Sequence, residues 1–302
     1  MATLSEWVEG ARPRTLPLSI SPVIAGSAVA LAAGAFHPWR ALLALFVGVV
    51  MQLGVNFAND YSDGVRGTDA HRVGPQRLVG SGAATPRAVK TAAFLCFAAG
   101  CVAGLWLVVL THLWWIIAVG VAIVIAAWFY TGGKHPYGYA GWGEVSVLVF
   151  FGFVAAGGTV LVQTGFGPAW HWGAVLALCV GQGAGACAVL VVNNLRDIAT
   201  DAAVGKHTLS VRLGDKNSRV LFIGLTALAL VAGVVTAALT TWFGLLCLAM
   251  LACQIPAVAI AARGVTGFGL VRALKLVSLA QLVGAIGLFV GACVAVFISL
   301  AA

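Results

Sequence analysis

The chain has 302 residues, of which 61% are hydrophobic and only 9% are charged, and its mean hydropathy is +1.03. An ordinary soluble domain carries about 25% charged residues. This composition leaves too little polar material to cover a soluble protein, so that class is excluded. The net charge is +8. Because the basic residues are divided among short segments, a nucleic-acid-binding module is excluded as well, and attraction to membrane lipid headgroups explains part of the surplus.

Apolar stretches of about 20 residues, the length that spans a bilayer, recur along the whole chain. The first is too long, and wrongly flanked, for a cleaved signal peptide, so we expect it to remain as a membrane helix. The pattern predicts an all-α integral membrane protein, a single domain over residues 1–302 with about nine transmembrane helices. The predicted spans are 15–36, 39–60, 88–110, 113–131, 143–164, 172–194, 219–240, 242–262 and 273–300.

The basic residues predict the orientation, because short loops rich in Lys and Arg stay in the cytoplasm. If the N-terminus is inside, every one of the 17 Lys and Arg residues except Arg40 falls on the inner side. We therefore expect a multi-pass protein of the cell membrane with a cytoplasmic N-terminus and an outer C-terminus. The seven cysteines lie in apolar runs without metal-ligand spacing. We interpret them as small buried hydrophobic residues.

A first acidic motif, in the region 56–82, lies at the inner end of the second predicted helix. Asn59 and Asp63 are four residues apart and therefore share one helix face. Gly64 and Gly67 allow the chain to leave the helix, so that Asp69 can fold back toward the same point. Ionisable groups are costly beside a membrane core, and they indicate a functional site.

A second acidic motif, in the region 193–214, lies at the inner end of the sixth predicted helix. Asn193, Asp197 and Asp201 again share one face at a spacing of four. Four predicted crossings separate the motifs, so both lie on the same side of the membrane and can face each other. Oxygen ligands of this kind suit Mg²⁺, which takes one or two carboxylates and completes its shell with water and substrate phosphate.

Basic residues follow both motifs, and ammonium and guanidinium groups bind phosphate oxygens. Carboxylates for a metal beside cations for phosphate favour a diphosphate site, while helix-end charges that form surface salt bridges are the alternative. These basic residues are Arg66, Arg72, Arg77, Lys206 and Arg212.

A loop between the fourth and fifth predicted helices contains Tyr130, Lys134 and Tyr139 on the same inner side. Its rings could flank a carbocation through their π faces. They could equally mark the membrane interface as part of an aromatic belt.

In these motifs and over nearly its whole length, the sequence resembles the UbiA superfamily of intramembrane prenyltransferases. Within that superfamily it is most similar to the menaquinone branch, which prenylates 1,4-dihydroxy-2-naphthoate. The similar segments are 11–17, which reads Ala-Arg-Pro-Arg-Thr-Leu-Pro, 59–81 with the first motif, and 193–214 with the second. The resemblance implies about nine helices around a central cavity, with a cytoplasmic cap formed by the motif-bearing loops.

The resemblance also implies a reaction: Mg²⁺-dependent transfer of a polyprenyl group from polyprenyl diphosphate to 1,4-dihydroxy-2-naphthoate, with loss of CO2 and diphosphate, giving demethylmenaquinone. It implies that two magnesium ions bridge the diphosphate and that the aspartates are catalytic. The implied metal ligands are Asn59, Asp63, Asp69, Asn194, Asp197 and Asp201. The implied diphosphate ligands are Arg72, Lys206 and Arg212, and the candidates for the acceptor or the cation are Tyr130, Lys134 and Tyr139.

Two alternatives stay open at this point. One is a UbiA-type enzyme with another acceptor, such as 4-hydroxybenzoate, or a member of the chlorophyllide or haem branches. The other is a membrane transporter, which is disfavoured because a transport site is expected near the bilayer midplane and these aspartates lie at helix ends.

Overall fold

A computed structural model of the chain describes residues 2–68 and 77–301, and within these ranges the regular structure is helical. Two predicted site residues, Asp69 and Arg72, lie outside the described residues. The helices are α1 (Leu4–Gly10), α2 (Pro17–Ala32), α3 (Pro38–Arg66), α4 (Pro86–Thr111), α5 (Ile116–Phe129), α6 (Gly143–Thr164), α7 (Trp172–Ala203), α8 (Leu209–Thr240), α9 (Trp242–Ala262) and α10 (Leu270–Ala301).

Seven helices in the described ranges are long and apolar enough to cross a membrane, namely α3, α4 and α6 to α10. The segment Leu4–Thr15 and α2 form a pair bent by 48°, which makes an eighth span if it is counted as one. Helix α5 has 14 residues, so it is about 21 Å long against a hydrocarbon core of about 30 Å. A multi-pass membrane protein is confirmed, and the count of nine crossings stays a prediction.

Helix α7 lies at the centre of the bundle. In its apolar window 78% of the residues are buried, against 22% to 39% in the other six long helices. It packs against α6, α8 and α10. Gly181 and the small residues over 183–187 permit this close approach, since a Cβ added at Gly185 would lie 3.0 Å from the side chain of Gln281. In lipid there is no hydrophobic driving force between helices, so small residues stabilise the bundle by allowing close van der Waals packing of the backbones.

The two ends of the bundle differ in chemistry. At the end where α3 begins, Arg40 donates to the carbonyls of Leu110 and Val162 at 3.1 and 3.0 Å, which joins α3 to the last turns of α4 and α6. At the opposite end, α3 stops at Gly67, whose φ of 75° is a left-handed conformation suited to glycine. The acidic motifs lie at this second end.

The cysteines are all free in the described part of the chain. Cys179, Cys187 and Cys247 are buried, as predicted, whereas Cys101 and Cys293 are exposed. The interpretation as buried residues is therefore wrong for these two, because an apolar helix face that meets lipid accepts a thiol as readily as a protein core does.

Candidate active site

A cavity of about 1200 Å³ lies within the bundle. Its far wall includes Trp115, Phe166, Trp170 and Trp172, at the end where α5 and α7 begin. Its polar mouth is at the opposite end, where α3 and α7 finish, and the described residues there include Asn59, Asp63, Asn193, Asn194, Asp197, Asp201 and Lys206. The cavity therefore joins a charged entrance to a long apolar interior.

The last turns of α3 supply one side of the mouth. Asn59 accepts a hydrogen bond from Thr131 Oγ1 at 2.7 Å. Asp63 is only 4% exposed, accepts a hydrogen bond from the Tyr139 hydroxyl, and lies 3.4 Å from Lys206 Nζ. The shared face of Asn59 and Asp63 is thus directed at the second motif, since Lys206 belongs to that motif.

Asp60 lies between Asn59 and Asp63 in the sequence but has different surroundings. It is fully buried, and its carboxylate accepts the backbone N–H groups of Leu78 and Val79, both at 2.9 Å. These bonds fix the chain from Leu78 onward against α3. One residue along a helix is a rotation of about 100°, so Asp60 cannot share the face of Asn59.

The end of α7 supplies the other side of the mouth. Asp197 is 5% exposed and forms a two-pronged ion pair with Arg196, with Nε to Oδ1 at 2.7 Å and Nη2 to Oδ2 at 2.5 Å. Arg196 Nη2 also donates to Asn193 Oδ1 at 3.0 Å. The sequence pattern predicted no site role for Arg196. The signal available was its position, directly before Asp197 and three residues after Asn193.

Asn194 is tied to a residue that sequence reasoning did not assign. Its Nδ2 donates to Glu144 Oε1 at 3.2 Å, and both side chains are more than nine-tenths buried. The backbone carbonyl of Glu144 accepts a hydrogen bond from Cys187 Sγ at 3.1 Å. The first turn of α6 therefore fixes the orientation of the Asn194 amide.

Lys206 and Arg212, both predicted to bind diphosphate, lie in different surroundings. Lys206 lines the mouth, beside Asp63. Arg212 is not among the cavity-lining residues of the described chain. It donates to the carbonyls of Ala140 and His207 at 2.9 and 3.2 Å, and so fastens the turn before α8 to the loop that carries Tyr139. In this conformation Arg212 contacts that loop and not the described cavity wall, and its role in binding diphosphate stays a prediction.

Tyr139 is engaged on both its hydroxyl and its ring. The hydroxyl donates to Asp63, and the ring lies 4.6 Å from Lys206 Nζ and 5.4 Å from the guanidinium carbon of Arg66. Burial, and secondly the charge of Asp63, raise the pKa of Tyr139 above its ordinary value, so the phenol stays protonated and donates. The geometry favours Tyr139 as a residue that positions Asp63 and Lys206.

The other two residues of this loop differ in their access to the cavity. Tyr130 lines it and meets the ring of Tyr137 edge to face at 5.4 Å. Lys134 is exposed and is not part of the described cavity wall. A role for Tyr130 beside a cation stays a prediction, and the structure brings Lys134 no closer to the site than the loop surface.

Comparison with known proteins identifies the family. Residues 19–267 match the model of the UbiA prenyltransferase family. The chain belongs to this family. A curated relative from Mycobacterium tuberculosis, named 1,4-dihydroxy-2-naphthoate octaprenyltransferase, is 54% identical over 242 residues, which are 80% of this chain and 81% of the relative.

Solved structures of UbiA homologues share the fold. The apo homologue from Aeropyrum pernix superposes with a TM-score of 0.71 at 16% identity, over 90% of this chain and 97% of that one. A homologue from Archaeoglobus fulgidus, bound to GPP and Mg²⁺, gives a TM-score of 0.65 at 12% identity, over 94% and 99%. The UbiA resemblance, the all-helical membrane fold and the prediction of a prenyltransferase are thereby confirmed.

Proposed function

We propose that this UbiA family member transfers a polyprenyl group from polyprenyl diphosphate to 1,4-dihydroxy-2-naphthoate, with release of CO2 and diphosphate. The observation that carries the proposal is the meeting of Asp63 with Lys206, one from each motif, at the polar mouth of one apolar cavity. The name of the 54% identical relative supports the same acceptor. The transfer itself gives the prenylated naphthalenediol, and demethylmenaquinone follows when a separate oxidant removes two electrons.

Magnesium fits the groups at the mouth, and the Mg²⁺ bound with GPP in the Archaeoglobus fulgidus homologue supports it. In the described ranges no three His, Cys, Asp or Glu side chains form a ready metal cluster. Mg²⁺ is usually bound by only one or two carboxylates, and other oxygen ligands such as phosphate complete its coordination. When bound, magnesium neutralises charge that develops on the departing diphosphate. The proposed ligands of two ions are Asn59, Asp63, Asn194, Asp197 and Asp201, with Asp69 from outside the described residues.

The protein's own side chains assist ionisation of the allylic diphosphate in three ways: they stabilise the leaving group, position the site residues and exclude water. The Lys206 ammonium pairs with Asp63 in this structure, and we expect it to pair with a phosphate oxygen when the diphosphate binds. There it would stabilise the leaving group. Tyr139 holds both residues in position. The apolar interior houses the isoprenoid tail and keeps water from the allyl cation until the electron-rich ring attacks it.

We further propose that the mouth opens to the cytoplasm, with the N-terminus inside and the C-terminus outside the cell membrane. The distribution of Lys and Arg supports this orientation. Arg40, the basic residue assigned to the outer side, belongs to the end of the bundle opposite the acidic motifs.

An assay of the protein purified in detergent tests the function. Dihydroxynaphthoate and 4-hydroxybenzoate are offered separately with prenyl diphosphates of several lengths, with Mg²⁺ present or chelated. We expect prenylated product from dihydroxynaphthoate only, and none after chelation. Preferred use of 4-hydroxybenzoate would assign the enzyme to another acceptor, and full turnover under chelation would remove magnesium from the proposal.

Glu144 provides a test of how the Asn194 ligand is held. We expect Glu144→Ala to raise the Mg²⁺ concentration for half-maximal activity about tenfold or more, since loss of a group that orients a metal ligand typically costs 10- to 100-fold in metal affinity. Glu144→Gln keeps Oε1 as an acceptor for Asn194 and should stay close to wild type. The measurement is activity of both variants as a function of Mg²⁺ concentration. Equal titration curves for Glu144→Ala and wild type would contradict the orienting role.

A further inference from the structure

The N-terminal segment forms part of the cavity wall. Arg12 and Arg14 both line the cavity, between α1 and α2. Two hydrogen bonds hold the segment against α3: Asn56 Nδ2 donates to the carbonyl of Ala11 at 2.8 Å, and Arg12 Nη2 donates to the carbonyl of Asn56 at 3.2 Å. The Arg12 guanidinium is thus held against α3 at the level of Asn56.

The point at which Arg12 contacts α3 lies deeper in the cavity than the acidic residues of the mouth. Asn56 precedes Asn59 by three residues, which is about 4.5 Å along a helix, and precedes Asp63 by about 10 Å. Because α3 runs toward the mouth, Arg12 contacts it about one turn inward from Asn59. An anion bound at Arg12 would therefore be separate from a diphosphate at Asp63 and Lys206, and nearer to the carbon that the diphosphate leaves.

Charge distinguishes the two arginines. Arg14 forms an ion pair with Glu9, with Nη2 to Oε1 at 2.7 Å. Among the described residues no carboxylate is paired with Arg12, whose hydrogen bond is to a backbone carbonyl. Its backbone adopts φ 56° and ψ 64°, a left-handed conformation that is uncommon outside glycine. A half-buried guanidinium without a carboxylate, in the wall of an apolar cavity, is suited to a planar carboxylate ligand.

We propose that Arg12 binds the carboxylate of the aromatic acceptor. The inference rests on the proposed function, in which the acceptor is the one substrate with a carboxylate and the diphosphate already has Lys206 at the mouth. With its carboxylate at Arg12, the acceptor ring lies one turn inside the metal ligands, against apolar wall residues such as Leu18. The ring then faces the first carbons of the prenyl chain, where the new bond forms.

A pair of ligands that differ by the carboxylate tests the assignment. Binding of 1-hydroxy-2-naphthoate and of 1-naphthol to the full-length protein in detergent is measured by titration calorimetry, for wild type, Arg12→Gln and Arg87→Gln. Arg87 is exposed on α4 and not part of the cavity wall, so Arg87→Gln controls for loss of a positive charge. We expect Arg12→Gln to weaken binding of the carboxylate ligand by about 10- to 100-fold and to leave 1-naphthol unchanged.

The outcomes separate a binding role from a structural one. Arg12 also bonds to Asn56, so a distorted cavity would lower the affinity for both ligands equally, and that result would overturn the proposal. Unchanged affinity for 1-hydroxy-2-naphthoate in Arg12→Gln would overturn it as well. Kinetics give a second readout, since KM for the acceptor should rise while KM for prenyl diphosphate stays the same. Wild-type turnover of dihydroxynaphthoate tests the proposed function independently of these comparisons.

Discussion

Asp63→Asn and Asp197→Asn are each expected to lower prenyl transfer by about 1000-fold. Both carboxylates are at least 95% buried at the cavity mouth, and both are proposed magnesium ligands. Asparagine keeps the volume of the side chain and, at position 63, an oxygen that can still accept from Tyr139. The variants therefore remove charge with little change in shape. A loss of about 4 kcal/mol in transition-state stabilisation corresponds to three decades in rate.

The measurement is turnover at saturating substrates over a range of Mg²⁺ concentrations, on variants that elute as wild type in size-exclusion chromatography. Asp215→Asn is the matched control, because Asp215 is half-exposed, pairs with Arg219 and is absent from the cavity wall as described. It should keep most of the activity. Turnover close to wild type in either Asp63→Asn or Asp197→Asn would remove that residue from the metal site.

The fold was largely predictable because a membrane imposes one strong rule on sequence. A span needs about 20 apolar residues, and each predicted stretch overlaps a helix of the structure. Parity of the crossings then predicted that the two acidic motifs lie at the same end, where Asp63 and Lys206 do meet. Helix geometry placed Asn59 and Asp63 on one face, and the same rule, applied to Asp60, separates it from them.

Local deviations within the helices were not predictable in the same way. Residues Leu148–Gly157 of α6 form wider π-helical turns, which rotate the following side chains relative to an ordinary helix. At Gly214, φ is 74° and ψ is 176°, which interrupts α8 five residues after it begins. Hydropathy does not report backbone dihedral angles. Leu148–Gly157 lies inside one apolar predicted span, and Gly214 lies before the predicted span that begins at residue 219.

The partners of the site residues also lay beyond sequence reasoning. Thr131 contacts Asn59 and Glu144 contacts Asn194, across separations of 72 and 50 residues. Such contacts depend on how each helix is rotated about its axis, which is decided by packing of the whole bundle. Residue type and spacing indicated the chemistry of the mouth, and tertiary packing selected the residues that hold it in place.

Lys206→Gln is expected to lower kcat/KM for prenyl diphosphate by about 100-fold. The ammonium lies 3.4 Å from Asp63 and 4.6 Å from the Tyr139 ring centre, at the point where the diphosphate must enter. Removal of one cation from the leaving-group site costs about 3 kcal/mol of electrostatic stabilisation. Lys216→Gln is the control, because Lys216 is exposed near the start of α8 and outside the described cavity wall.

Steady-state kinetics with varied prenyl diphosphate separate the two ways in which Lys206 could act. If the ammonium stabilises charge only as the diphosphate departs, kcat falls and KM changes little, whereas a contact made equally in the ground state raises KM alone. We expect the fall in kcat to dominate, because before ionisation Asp63 competes with the diphosphate for the same ammonium group. An effect confined to KM for the acceptor would instead place Lys206 in the aromatic pocket and leave the leaving group without its proposed cation.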